Sequence, residues 1–96
     1  MEKEIIIGEI IKIIRRHLPP RDFKVVLFGS QARGDAYPAS DIDIGILGKK
    51  NIPVESMDKI LDDVEEIPTL RKIDIVDLKK ADMSFRKEVL NYAKSI

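Results

Sequence analysis

No cysteine occurs in the 96 residues, so no disulfide can brace the fold, and a reducing cytoplasm is the natural setting. No apolar run approaches the roughly 20 residues that a membrane span requires, and nothing at the N-terminus reads as a signal peptide. Neither sign of charge is in excess, with 17 basic residues against 17 acidic ones. Non-specific nucleic-acid binding draws on clustered positive charge, so this balance argues against strong direct binding of DNA or RNA. Internal repeats and low-complexity segments are missing too. There is one histidine, His17, and it closes an apolar segment beside Leu18-Pro19. There it reads as a helix-end residue rather than a catalytic base.

What remains is a chain with 44% hydrophobic and 35% charged residues, the balance of a globular protein. Its length predicts one domain, residues 1–96, with little room for a second core. Ile7, Ile10, Ile11, Ile14 and Leu18 recur at helical spacing, with Glu9, Lys12, Arg15 and Arg16 opposite, and Pro19-Pro20 ends that helix. The run from Lys24 to Phe28 predicts a buried strand. Gly29 breaks it, and a short helix is expected to begin near Ser30 and stop at Gly34.

From Asp41 to Leu47 the pattern alternates, putting Asp41, Asp43, Gly45 and Leu47 on one strand face and Ile42, Ile44 and Ile46 on the other. Val54, Met57, Ile60, Leu61 and Val64 stripe a helix over 53–66 that Pro68 terminates. Ile73 to Leu78 predicts a third strand. A last helix over 82–95, capped by Asp82 or Ser84, carries Phe85, Val89, Tyr92 and Ala93 as core. The order α-β-α-β-α-β-α predicts an α/β (α+β) fold, a small mixed three-stranded sheet backed by helices.

Two stretches carry chemistry. In Phe28-Gly29-Ser30-Gln31-Ala32-Arg33-Gly34 a glycine follows a buried strand, where a missing Cβ lets backbone N–H groups approach a ligand. A helix starting there favours an anion at its N-terminus, and Ser30 adds a hydroxyl donor. Arg33 offers a fork of donors matched to phosphate. A plain strand–turn–helix corner with a capping serine is the structural alternative.

In Ser40-Asp41-Ile42-Asp43-Ile44 two carboxylates stand two apart on one strand face. Such like charges are costly unless a cation compensates them, and hard oxygen donors select Mg²⁺ or Mn²⁺. The alternative is a solvated edge-strand face. Parity along the third strand selects Asp74 as a further ligand and turns Asp77 away, to cap the segment that follows. Arg71-Lys72, just before that strand, reads as solvated surface, with contact to phosphate as the functional alternative.

The joint pattern, Phe28-Gly29-Ser30, ten residues, Asp41-Ile42-Asp43-Ile44, then Asp74, resembles the nucleotidyltransferase superfamily of DNA polymerase β. The fuller string Gly-Ser-x-Ala-Arg-Gly with Ser-Asp-Ile-Asp is especially similar to its minimal nucleotidyltransferases. The resemblance implies a polymerase β-like core and transfer of a nucleoside monophosphate, AMP from ATP, to a hydroxyl. It implies two Mg²⁺ ions, with Mn²⁺ as an alternative, held by Asp41, Asp43 and Asp74, while Gly29, Ser30 and Arg33 hold the phosphates. Minimal nucleotidyltransferases are typically antitoxins paired with a HEPN-domain toxin, so the implied acceptor is a tyrosine of such a partner. Two rivals stand beside this: a binding module that neutralises its partner by occlusion, and an enzyme that nucleotidylates a small molecule. The first has no need of three carboxylates, and the second lacks a substrate domain.

Overall fold

The computed structural model describes residues 2–29, 32 and 41–96. The elements given there are α1 (Lys3–His17), β1 (Phe23–Phe28), β2 (Ile42–Gly48), α2 (Val54–Glu65), β3 (Ile73–Asp77), α3 (Met83–Tyr92) and β4 (Lys94–Ser95). The strands form one mixed sheet in the order β3-β2-β1-β4. β1 runs antiparallel to both β2 and β4, and β2 runs parallel to β3.

Alternation along β1 decides the layering. Phe23, Val25 and Leu27 enter one apolar cluster, and Val26 and Phe28 enter another across the sheet. Both faces of β1 are thus covered, which is why its sequence reads as a near-continuous apolar run. On one face α1 and α2 contribute Ile6, Ile10, Ile14, Ile60 and Val64 to the larger cluster, where they meet Ile42, Ile44 and Ile46 of β2. On the other face Val89 of α3 and Leu78 pack over Val26 and Phe28. A side chain at Gly45 would strike Leu78 and Val26, so this glycine is what lets α3's layer close on β2.

The predicted α/β core is present, with three departures. Among the described residues the sheet has four strands rather than three, because the last helix stops at Tyr92 instead of continuing to 95. Ala93 turns extended, Lys94 and Ser95 pair with Leu27 and Val26, and the Ile96 N–H donates to the Val25 carbonyl at 3.1 Å. A buried β1 with one edge open would leave polar backbone groups unpaired, and that demand outweighs local helix propensity. In α1 the buried isoleucines are Ile6, Ile10, Ile13 and Ile14, so the inward face is rotated from the one expected through Ile7 and Ile11. Isoleucine at seven of ten consecutive positions (5–14) satisfies more than one helical phase. In α2 only Ile60 and Val64 are buried, while Val54 and Leu61 face outward.

Smaller features agree with expectation. Asp82 caps α3, accepting the Ser84 N–H at 3.1 Å. Asp77 caps the turn after β3, accepting the Lys79 N–H at 3.1 Å. His17 ends α1, with its Nε2 3.2 Å from an Asp63 carboxylate oxygen on α2. The short helix expected near Ser30 lies outside the described residues, except for Ala32, which is helical and buried.

Candidate active site

Where β1 ends, β2 and β3 begin, and the sheet's register brings distant residues together there. Phe28 of β1 stands opposite Asp43 of β2, and Asp43 stands opposite Asp74 of β3. Directly paired residues in neighbouring strands project to the same side. Asp43 and Asp74 therefore share the face that carries Val26, Phe28 and α3. Asp41 lies just before β2 and is exposed.

Gly29 turns the chain away from β1 with φ of 69°, the left-handed region in which a Cβ is disfavoured. A second constraint is independent of the first: any side chain at this position would run into the Asp43 carboxylate. Gly29 thus lies directly against Asp43.

Asp43 carries the electrostatic signature of the site. Its carboxyl is held above the ordinary value of 3.8, first by burial, then by the Asp74 charge and a hydrogen bond with the Asp74 carboxyl, then by the Asp41 charge. The Lys72 ammonium pulls the other way. Its Nζ lies 3.9 Å from Asp74 Oδ2, although most of the lysine side chain is exposed. Two carboxyl groups in hydrogen-bonding contact must share a proton or a cation, and hard, close oxygen donors of this kind fit a divalent metal. Among the described residues no group of three His, Cys, Asp or Glu side chains is placed to hold a metal ion. The carboxylates gathered here are the Asp43–Asp74 pair, with Asp41 acting on Asp43 through space.

Of the predicted residues, Gly29, Asp43 and Asp74 are brought together, and Asp41 is close enough to act on Asp43 through space. Ser30 and Arg33 lie outside the described residues. Two side chains carry more than sequence reasoning assigned them. Lys72, read first as surface, places its ammonium 3.9 Å from Asp74 Oδ2. Tyr92, read as core, does pack beside the α3 cluster, but its hydroxyl also accepts the Gly29 N–H at 3.1 Å. No local signal links residues 29 and 92; only the fold does.

Comparison with known proteins bears on the same architecture. Residues 8–96 match the family described as polymerase beta, nucleotidyltransferase. A chain in the crystal structure of a toxin–antitoxin with AMP-PNP is 26% identical, with a TM-score of 0.72, and the match covers 92% of this chain and 69% of that one. A chain in the structure of a tri-AMPylated Shewanella oneidensis HEPN toxin in complex with MNT antitoxin is 23% identical (TM-score 0.69), covering 96% and 69%. A structure assigned as a minimal nucleotidyltransferase is also 23% identical (TM-score 0.69), covering 100% of this chain and 95% of that one. No curated protein matches the sequence significantly. With all but its first seven residues inside the matched span, the chain belongs to the polymerase beta nucleotidyltransferase family.

Proposed function

We propose that the chain transfers AMP from ATP to a tyrosine hydroxyl of a HEPN-domain toxin, acting in the cytoplasm as the antitoxin of that pair. The observation that carries this reading is the strand register that sets Asp43 against Asp74 directly beside the Gly29 turn. An anion-binding turn and an acidic pair are the two halves of a site for a nucleoside triphosphate with its cations. The similar toxin–antitoxin structures, one with AMP-PNP and one with a tri-AMPylated toxin, support the choice of nucleotide and acceptor.

In this reading Gly29, Ser30 and Arg33 hold the triphosphate by its β- and γ-phosphates: Gly29 keeps the approach free of a Cβ, Ser30 lends its hydroxyl and Arg33 its guanidinium. Asp41, Asp43 and Asp74 are the residues that would hold Mg²⁺. Such ions, when bound, neutralise charge on the triphosphate and acidify the acceptor hydroxyl. The acceptor oxygen bonds to the α-phosphorus as the α–β anhydride bond breaks, pyrophosphate leaves, and the hydroxyl proton passes to water. The protein contributes placement and a fixed electrostatic field rather than a covalent intermediate.

The test is label transfer from α-labelled ATP with Mg²⁺, comparing wild type with Asp43→Asn in a lysate of the source organism. One discrete protein band labelled by wild type alone supports the reading and identifies the acceptor. Absence of any wild-type-dependent label on protein or RNA, with each of the four NTPs and with Mn²⁺, favours neutralisation by occlusion instead.

A further inference from the structure

Gly29 is the first residue beyond the β1–β2 ladder, whose last pair is Phe28 with Asp43. Its amide therefore has no strand partner and takes the Tyr92 hydroxyl instead, at 3.1 Å. Tyr92 is well placed to be a rigid anchor. It is the last residue of α3, and the Ala93 N–H closes that helix end on the Val89 carbonyl at 2.9 Å. One residue further, Lys94 is paired with Leu27, two positions before Gly29 on the strand that delivers the turn. The ring packs beside the cluster of Val26, Phe28, Leu78 and Val89. The phenol is thus fixed at both ends of its own segment, and it holds the Gly29 amide where the chain leaves β1 beside Asp43.

We infer that Tyr92 is a positioning residue of the nucleotide site, acting through Gly29 to hold the phosphate turn against Asp43. The inference rests on the nucleotide-binding reading given above. Tyr92 touches no reacting atom in this scheme. Its hydroxyl holds the left-handed Gly29 backbone beside the Asp43 carboxylate. Without it, the amide of a half-buried turn loses its acceptor and the turn can relax away from the acidic pair.

The full chain can be tested with Tyr92→Phe, which keeps the ring and deletes the hydroxyl. Phe85→Leu serves as a control on the same helix. The Phe85 ring meets Phe28 edge-on at 6.0 Å, and its loss loosens α3 without touching the Gly29 contact. Three quantities are measured: the melting temperature, hydrogen exchange at the Gly29 amide by NMR, and ATP affinity by calorimetry in the presence of Mg²⁺. For Tyr92→Phe we expect a melting temperature near that of wild type, lost protection at Gly29, and ATP binding weakened about tenfold, the effect of one unmet amide. Phe85→Leu should lower the melting temperature slightly and speed exchange at Gly29 through opening of α3, while leaving ATP affinity in place.

ATP binding by wild type that Tyr92→Phe leaves unchanged overturns the inference alone. So does a loss of affinity in both variants that tracks their melting temperatures, since that is a structural effect of α3. Failure of the wild type to bind ATP removes the nucleotide site itself, and the inference with it.

Discussion

At Asp43 function and stability pull in opposite directions. Asp43→Asn should reduce nucleotide transfer at least about a hundredfold, by removing a charge from a site that works through preorganised electrostatics. It should leave the cation-free fold intact or slightly more stable, because the neutral side chain ends the repulsion with Asp74 and Asp41. A variant that unfolds, or one that stays fully active, would each sink the assignment.

The pH dependence follows from the direction of the Asp43 shift. The folded carboxyl holds its proton above the ordinary value of 3.8, so between that value and its raised one the native state binds more protons than the unfolded chain. Stability from this group is fully present below pH 3.8 and is lost as pH rises through the folded value. In denaturant titrations without divalent cations, wild type should therefore lose ground to Asp43→Asn as pH rises from acid toward neutrality. Added Mg²⁺ should restore wild type more than the variant.

Gly29→Ala meets two independent penalties, a disfavoured left-handed backbone worth about 1–2 kcal/mol and a collision with the Asp43 carboxylate. It should lower the unfolding midpoint and abolish transfer together. Gly29, Asp43 and Asp74 were legible in the sequence because strand alternation and a glycine break are local signals. Tyr92 was not, since its relation to the site comes from a helix end that meets it only through tertiary packing, whereas Lys72, two residues before Asp74, shares its face by the same alternation.

Among elements, α3 is the one whose ends matter most. Its cap, the Asp82 carboxylate on the Ser84 N–H, stands at the far end from Tyr92. Asp82→Ala should cost about 1 kcal/mol in denaturant unfolding, the usual worth of such a cap. Since the cap is remote from Gly29, transfer activity at temperatures well below the opening of α3 should be preserved.

Element types and order were readable from period and punctuation: proline pairs ending α1, alternation in β2, a capped start for α3. Two things were not. The phase of α1 is underdetermined when isoleucine occupies so many neighbouring positions, and the partner α2 selects Ile6 and Ile13. The end of α3 was misplaced because Lys94 and Ser95 answer to a strand nearly seventy residues earlier, a non-local hydrogen-bonding demand that no window of sequence contains.

Across the whole molecule the two faces of the sheet are built unequally. The isoleucine-rich layer under α1 and α2 is deep and continuous, and truncations there should be severe. Ile60→Ala, at a fully buried site, should cost about 2–5 kcal/mol by calorimetric or denaturant unfolding. The opposite layer is thin: Val89 is the buried residue of α3, while Met83, Phe85 and Leu90 remain exposed. The acidic pair and the Gly29 turn belong to this thinner side.

That placement sets the order in which the protein should fail on warming. Segments with few buried apolar contacts open in sub-global steps at lower free energy than the rest. α3 and β4 form such a segment, and its departure would carry Tyr92 off the Gly29 amide while the isoleucine layer still stands. Catalytic competence should therefore vanish reversibly several degrees below the main calorimetric transition. Strengthening only the contact between α3 and the sheet should narrow that gap without moving the transition itself by as much.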